Sequence, residues 1–338
     1  MKRALITGIT GQDGSYLAEL LLDKGYEVFG LARQESWYKP NCASHLAGRI
    51  EILFGDVTEG VDVAGAVTDA QPDEVYNLAS QSRPGESWSR PAETLQVNGL
   101  AALRLFEAVR HNQPDCRVYH ASSSEMFGQA TVAPQNESTP FNPVNPYAAA
   151  KVYAHQMARI YRESYGLYIA CGILFNHESE RRPLHFLTQK VAYGAACAGL
   201  GIADSPDRNE RGRPIVEGGK LALGNLEVAR DWGYAPDFVD AMWRILQHDE
   251  PDEFVIGTGE IHTLKDLCEC AYRSVGKDWR DCVVSDPALV RPLEPGRIQA
   301  DPSKARRLLD WQPKVSFEEL VARMVRHQMD RLARKVDT

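Results

Sequence analysis

The segment 120–151 holds four side chains whose types and spacing could move protons: Ser123, Glu125, Tyr147 and Lys151. Tyr147 and Lys151 stand at i and i+4, a spacing that stacks both on one face of a helix. An ammonium beside a phenol favours the phenolate and lowers the tyrosine pKa. A tyrosine prepared in this way can take the proton of an alcohol while hydride leaves the carbon. Ser123 and Glu125 stand at i and i+2 at the end of an expected strand, so both can face one side. A glutamate there can remove a second proton, from a carbon next to a newly made ketone.

These groups need a frame, and the chain supplies one from its first residues. A short apolar run at 3–7 leads into Gly8-Ile-Thr-Gly11-Gln12-Asp13-Gly14, and a helix with Tyr16, Leu17, Leu20, Leu21 and Leu22 on its apolar face follows. Strand, glycine-rich turn and helix in that order make a phosphate-binding unit. The glycines let the backbone approach a pyrophosphate, and the helix N-terminus favours the anion. The expected cofactor contacts are therefore Gly8, Gly11, Gln12, Asp13 and Gly14. The second strand, 26–31, runs into Ala32-Arg33-Gln34, with no acid until Glu35. An acid at that place would hold the ribose hydroxyls of NAD; Arg33 can instead neutralise the 2′-phosphate of NADP, which is the expected cofactor.

Further strands are expected at 50–54, 74–78, 117–121 and 168–174, with helical stretches at about 92–110 and 147–165. The alternation predicts an α/β, doubly wound parallel sheet of the Rossmann type. Strand ends at Gly8, Asp56, Ala79, Ser122 and Phe175 then share one edge, where ligands bind. Asp56, Val57, Leu78, Ala79 and Ser80 join the expected cofactor contacts on that ground. Beyond Phe175 the pattern changes. Residues 186–198, 239–247, 264–275 and 317–332 read as helices, 252–257 as a strand, and 199–220 as a mobile loop rich in Gly, Pro, Asp and Arg. The organisation predicted is a cofactor domain over 1–175 and a smaller substrate-binding lobe over 176–338, interleaved with it and closing over the cofactor edge.

Composition limits the function classes. The chain has 338 residues, 43% hydrophobic and 25% charged, as in a soluble globular protein with room for a large core. A net charge of −8 without a long basic run argues against nucleic acid as a partner. No apolar run approaches the roughly 20 residues that span a bilayer, and the start reads as a strand rather than a signal peptide. The seven cysteines show no paired metal spacing; reduced thiols in a cytoplasmic, metal-free protein fit them.

Taken together, these residues resemble the extended short-chain dehydrogenase/reductase superfamily and, more narrowly, the GDP-mannose 4,6-dehydratases. The resemblance covers nearly the whole chain. It rests on TGITGQDGSYLA from Thr7, PDEVYNLA from Pro72, SSEMFG from Ser123, YRESYG from Tyr161, GILFNHES from Gly172 and RDWG from Arg230. It implies an NADP-dependent dehydratase of a GDP-sugar, either GDP-mannose or GDP-D-glycero-D-manno-heptose, assembled as a homodimer or homotetramer. It implies that Tyr147 is the base, Lys151 its helper and Glu125 the acid–base group at C5. Ser123 stands where these dehydratases usually carry Thr, so the hydroxyl is kept and the methyl lost. His177 and Arg182 match cofactor-contacting positions, and Ser82, Asn176, Lys190, Arg230, Arg291 and Glu294 match positions that hold the GDP-sugar. The chain departs from the family at Arg33-Gln34, often Arg-Arg, and at Ser179-Glu180, usually Ser-Pro. Two other functions fit parts of this pattern. A 4-epimerase or reductase of the same superfamily needs Tyr147 and Lys151 but not Glu125, and a non-catalytic NADP-binding regulator needs none of the proton-transfer groups.

Overall fold

The computed structural model describes residues 1–209, 212–290 and 297–336. In chain order these form β1 (Arg3–Thr7), α1 (Gln12–Asp23), β2 (Glu27–Ala32), α2 (Gln34–Trp37), β3 (Glu51–Phe54), α3 (Gly60–Ala70), β4 (Glu74–Asn77), α4 (Pro91–Leu95), α5 (Ala101–Asn112), β5 (Arg117–Ser123), α6 (Pro146–Tyr165) and β6 (Ile169–Leu174). There follow β7 (Asn176–Glu178), α7 (Leu187–Leu200), β8 (Val216–Glu217), β9 (Lys220–Leu223), β10 (Ala229–Arg230), β11 (Trp232–Tyr234), α8 (Ala235–Gln247) and β12 (Glu253–Ile256). The last elements are β13 (His262–Thr263), α9 (Leu264–Arg273), β14 (Val283–Ser285), α10 (Ser303–Leu309) and α11 (Phe317–Val336). The described residues divide into two compact units, one from 1–175, 235–259 and 297–312, the other from 176–209, 212–234, 260–290 and 313–336.

The first unit is built on a seven-stranded sheet of order β12-β6-β5-β4-β1-β2-β3 in which every adjacent pair is parallel. The order reverses between β1 and β4, the switch point at which a ligand crevice opens in such sheets. Successive residues of a strand face opposite sides. Ile6 accordingly packs with Leu17, Leu21, Phe238 and Met242 from α1 and α8. Its neighbour Leu5 packs with Val67, Phe106, Ala154 and Ala158 from α3, α5 and α6. Helices on both faces explain why β4 and β6 are buried along their whole length. At the edge strand β12, the Val255 N–H is satisfied by Glu137 Oε1 at 2.7 Å. The loop that supplies Glu137 is fixed by Gln135, which is fully buried. Its backbone N–H donates to Gln299 O, its Oε1 accepts from Gln299 N, both at 2.8 Å, and its Nε2 donates to Arg297 O at 3.0 Å.

The stretch expected as helix at 92–110 is helical throughout, but not α-helical throughout. Gln96–Leu100 forms a π-helical turn between α4 and α5. The extra residue per turn brings Asn98 against the segment after β4. Its Oδ1 accepts from Ser80 Oγ at 3.0 Å and from Gln81 N at 2.8 Å, and its Nδ2 donates to Gln81 O at 3.1 Å. Such turns recur beside functional sites.

The second unit packs α7, α9 and α11 around Tyr193, Cys197, Leu267, Tyr272, Leu320 and Met324, flanked by small sheets. The segment 199–220, expected as a mobile loop, is instead tied down in its described part. Ile215 and Val216 are buried. Asp207 accepts from Tyr193 OH at 3.0 Å, Arg331 Nη2 at 2.9 Å and Lys335 Nζ at 2.8 Å. Asp207 is thus satisfied by partners as far along the chain as Lys335, a pattern that local composition does not report. Among the described residues no helix is long and apolar enough to cross a membrane, and no three His, Cys, Asp or Glu side chains gather as a metal site.

Candidate active site

The strand ends next to the switch point are locked together by side chains. Thr7 Oγ1 accepts from the N–H of Leu78 and of Ala79, both at 3.1 Å, and donates to Asn77 Oδ1 at 2.8 Å. Asn77 Nδ2 in turn donates to His120 Nδ1 at 3.1 Å, so β1, β4 and β5 end in register. Burial, and then the Lys151 charge, push His120 well below its ordinary pKa and keep the ring neutral.

Two glycines of the turn after β1 are required by close approach. Gly8 has φ +75°, and a Cβ there would sit 2.8 Å from Ala79 N. A Cβ on Gly14 would sit 2.4 Å from Gly8 O. Gly11 precedes Gln12 at the start of α1 and offers no side-chain cap, while Asp13 lies in the first turn. Gly8 thus lets the turn pack on the segment after β4, Gly14 lets α1 close on the turn, and the positive end of the α1 dipole faces this compact backbone, a setting that favours an anion. Along the same edge, Asp56 Oδ1 accepts from Thr58 N at 2.9 Å and Thr58 Oγ1 at 2.8 Å, and Asp62 Oδ2 accepts from Asp56 N at 2.8 Å. Val57 packs against the α3–α5 core. Arg33 follows β2 with its side chain 58% exposed, 3.7 Å from Glu35. Ser82 is exposed.

The proton-transfer groups come from β5, the turn behind it, and α6. Ser123 ends β5 and its Oγ accepts from Glu125 N at 3.2 Å, capping the short 3₁₀ turn Ser124–Phe127. Asn145 caps α6, its Oδ1 accepting from Ala148 N at 2.8 Å, with Pro146 in the first helical turn. The same side chain donates Nδ2 to Glu125 Oε2 at 3.0 Å. Tyr147 and Lys151 lie on the buried face of α6, 8% and 4% exposed. Lys151 Nζ donates to Ala121 O at 2.9 Å, and burial pushes its pKa down to about 8. The first unit thus brings together a carboxylate, a hydroxyl, a phenol and an ammonium. This set can remove a proton from an alcohol and another from carbon. Asn145, Asn98 and Asn77 escaped the sequence reading. Of these only Asn145, an Asn followed by Pro at a helix start, carries a recognisable signal there.

In the second unit, β7 pairs in parallel with β11, setting Asn176 opposite Trp232 and His177 opposite Gly233. Arg182 Nε lies 3.0 Å from Glu178 Oε2, and its guanidinium stacks on Phe186 at 3.6 Å. Lys190 lies on α7. Arg230, 8% exposed, sits in β10 opposite His262 of β13. Arg291 and Glu294 lie outside the described residues.

A parallel sheet with this switch point, a glycine-rich turn after β1 and a Tyr–Lys pair on the helix after β5 defines an extended short-chain dehydrogenase/reductase. Solved structures agree on the fold. The UDP-glucose 4-epimerase of Thermus thermophilus in complex with NAD is 26% identical, with a TM-score of 0.80 over 96% of this chain and 98% of that one. The dTDP-glucose 4,6-dehydratase of Bacillus anthracis is 20% identical, with a TM-score of 0.80 over 98% and 97%. A family model described as GDP-mannose 4,6 dehydratase matches residues 5–324. GDP-mannose 4,6 dehydratase 1 of Arabidopsis thaliana is 42% identical over 97% of this chain and 90% of the relative. The human GDP-mannose 4,6 dehydratase is 40% identical over 95% and 90%. The chain belongs to the GDP-mannose 4,6-dehydratase family.

Proposed function

We propose that this protein is a nucleotide-sugar 4,6-dehydratase, a hydro-lyase that converts GDP-mannose, or GDP-D-glycero-D-manno-heptose, to the GDP-4-keto-6-deoxy sugar. Family membership supports the reaction class. The observation that carries it is the Glu125 carboxylate, held by Asn145 at the end of β5 and close in sequence to the Tyr147–Lys151 helix. Alcohol oxidation needs the tyrosine and lysine alone; elimination of water also needs a base for a carbon acid.

NADP is the proposed cofactor. The glycine turn at the positive α1 N-terminus suits a dinucleotide pyrophosphate, and Arg33, with no acid at the end of β2, favours a 2′-phosphate. Bound there, NADP would supply the hydride acceptor for C4 and the hydride donor for C6. Tyr147 takes the C4 hydroxyl proton, and the Lys151 ammonium stabilises its phenolate. The resulting ketone acidifies the C5 proton, which Glu125 removes. The C6 hydroxyl leaves as water, protonated by Glu125 or through Ser123, and a proton returns to C5. Positioning supplies much of the rate, because the same groups must face two carbons in turn.

His177 and Arg182 are assigned to the cofactor, and Ser82, Asn176, Lys190, Arg230, Arg291 and Glu294 to the GDP-sugar. Assembly as a homodimer or homotetramer is proposed on the family resemblance. Seven free cysteines support a reducing, cytoplasmic location. Incubation with each GDP-sugar, followed by product mass, tests the function. Loss of one water is expected; an unchanged mass with an inverted C4 would make the protein an epimerase.

A further inference from the structure

The buried face of α6 continues past Tyr147 and Lys151 by one more step of four residues, to His155, which is 1% exposed. This imidazole bridges three strands of the sheet. Its Nδ1 lies 2.8 Å from Ser122 Oγ on β5. Its Nε2 lies 3.3 Å from Glu253 Oε2 on β12. Cys171 on β6 is also among its neighbours. Glu253 Oε1 in turn accepts from Arg162 Nη2 at 2.8 Å, and Arg162 Nη1 donates to Ile169 O at 3.1 Å. Phe141 closes the ring off, edge to face, at 5.1 Å. The last three residues of β5 therefore meet the active-site groups in turn. Ala121 O holds Lys151, Ser122 holds His155, and Ser123 caps the turn carrying Glu125.

The arrangement resembles a hydrolytic Ser–His–acid line, but it is sealed. Ser122 is 3% exposed, and no substrate carbonyl could reach its oxygen. The protonation state points the same way. Burial alone would depress His155, yet Cys171 and Glu253 raise it to about 9, while against burial His155 and Arg162 hold Glu253 down to about 2. At neutral pH the ring is an imidazolium that donates from both nitrogens, to Ser122 Oγ and to the Glu253 carboxylate. It cannot serve as a base for Ser122. The other charged or titratable groups near it are Arg162 and Lys151 on its own helix, Cys171 on β6 and His120 on β5.

The geometry assigns His155 as a positioning residue of the dehydratase. Clamped between Ser122 and Glu253, it fixes α6 against the end of β5 and so sets Lys151 and Tyr147 in place relative to Ser123 and Glu125. This rests on the function proposed above. It has a consequence that a general contribution to folding does not share. Lys151 titrates low because it is buried, and the clamp one turn away keeps that turn of helix closed on the sheet. Release of the clamp admits water to the ammonium and returns its pKa towards that of a free lysine.

The test compares wild type, His155→Gln and Ser122→Ala, the second removing only the hydroxyl should the first fail to fold. In each, kcat and KM for GDP-mannose are measured, and Lys151 is titrated by competitive acetylation against pH with mass-spectrometric readout, which needs no turnover. In the folded variants kcat should fall about 10–100-fold with KM little changed, and the Lys151 titration should move up by about a unit. A lower melting temperature with kcat and the Lys151 titration both unchanged overturns the assignment. So does a normal Lys151 titration in Ser122→Ala if His155→Gln does not fold. Wild type that fails to dehydrate any GDP-sugar while the Lys151 titration still shifts counts against the proposed function and leaves the clamp standing.

Discussion

One asparagine joins the two halves of the candidate site: Asn145 accepts from Ala148 N at 2.8 Å to start α6, and donates to Glu125 Oε2 at 3.0 Å. Tyr147 lies two residues into the helix that this side chain begins. The position of the phenol and the aim of the carboxylate are thus set by the same amide group. An amide can do both because it carries an acceptor and a donor.

Substitutions at Asn145 separate the two roles. Asn145→Asp keeps the cap, because a carboxylate also accepts from the backbone N–H. It also places a second anion against Glu125, which raises the carboxylate pKa of the pair. Stability should fall at neutral pH through the like charges and recover as the pair is protonated at lower pH, while kcat falls and the acid limb of the pH profile moves up. Asn145→Ala should lose about 1 kcal/mol of stability with the cap and lower kcat as well. Thermal denaturation with steady-state kinetics checks both. Wild-type kcat in Asn145→Asp would mean that the Glu125 contact is incidental.

Glu125 itself gives the largest expected effect. Glu125→Gln keeps the shape and the Asn145 contact but cannot accept a proton from carbon. Dehydration should fall by at least about 10²–10⁴-fold, the usual range for a lost general base, with GDP-sugar binding retained. Product mass spectrometry reads the first quantity and calorimetry the second. Near-normal turnover would remove Glu125 from the mechanism.

Much of this architecture was legible because it is written in short-range patterns. The glycine turn, the i, i+4 pair and the alternation of strand and helix are each properties of fewer than two dozen neighbouring residues. The missing parts depend on partners distant in sequence. Asn98 looks like any helix-interior Asn until the π turn brings it to Ser80 and Gln81. Gln135 is polar and lies in a Pro-rich stretch, yet it is fully buried because the segment 297–301 supplies its hydrogen bonds. Asp207 is held by Arg331, 124 residues away. His155 reads as one more helix residue until β5 and β12 are laid beneath it.

Lys151 sets an expectation for pH. Burial alone lowers it to about 8, against an ordinary lysine value of 10.5. If its charge supports the Tyr147 phenolate, kcat/KM, which reports groups on the free enzyme, should fall as pH rises through about 8. The stability effect has the opposite sense. Between that pH and the free-lysine value the unfolded chain binds more protons, so stability rises with pH there. Lys151→Met should remove this rise and most of the activity together. Kinetics and thermal denaturation across pH 6–11 on both proteins would show it, and a flat kcat/KM across pH 8 in wild type would exclude Lys151 as a charged helper.

In the proposed function Arg33, which is exposed and 3.7 Å from Glu35, selects NADP. Denatured protein should release NADP or NADPH in preference to NAD. Loss of one charge-assisted contact costs roughly 1.5–3 kcal/mol, so Arg33→Ala should bind NADP about 10–100-fold more weakly with NAD affinity unchanged. Recovery of NAD alone would assign the other dinucleotide, and equal NADP affinity in the variant would remove Arg33 from the 2′-phosphate contact.

The final expectation concerns the diphosphate of the sugar nucleotide. A chain with a net charge of −8 needs a local cation to hold a dianion, and Arg230 is the described candidate from the RDWG segment. Its side chain is almost fully buried, and Nη1 donates to Ala229 O at 2.8 Å. That contact orders the side chain, and a planar guanidinium fork matches the geometry of phosphate oxygens. Arg230→Ala should weaken GDP and GDP-mannose alike by about 10–100-fold, the equivalent of roughly 1.5–3 kcal/mol, and spare NADP. Arg230→Lys keeps the charge without the fork and should fall between the two. Arg291→Ala, at the second arginine of the proposed set, should behave as Arg230→Ala does. Calorimetric titration of each variant with GDP, GDP-mannose and NADP separates the outcomes. A loss of NADP affinity equal to that for GDP would move Arg230 to the cofactor, and unchanged GDP affinity in both alanine variants would leave the diphosphate without either arginine as its partner.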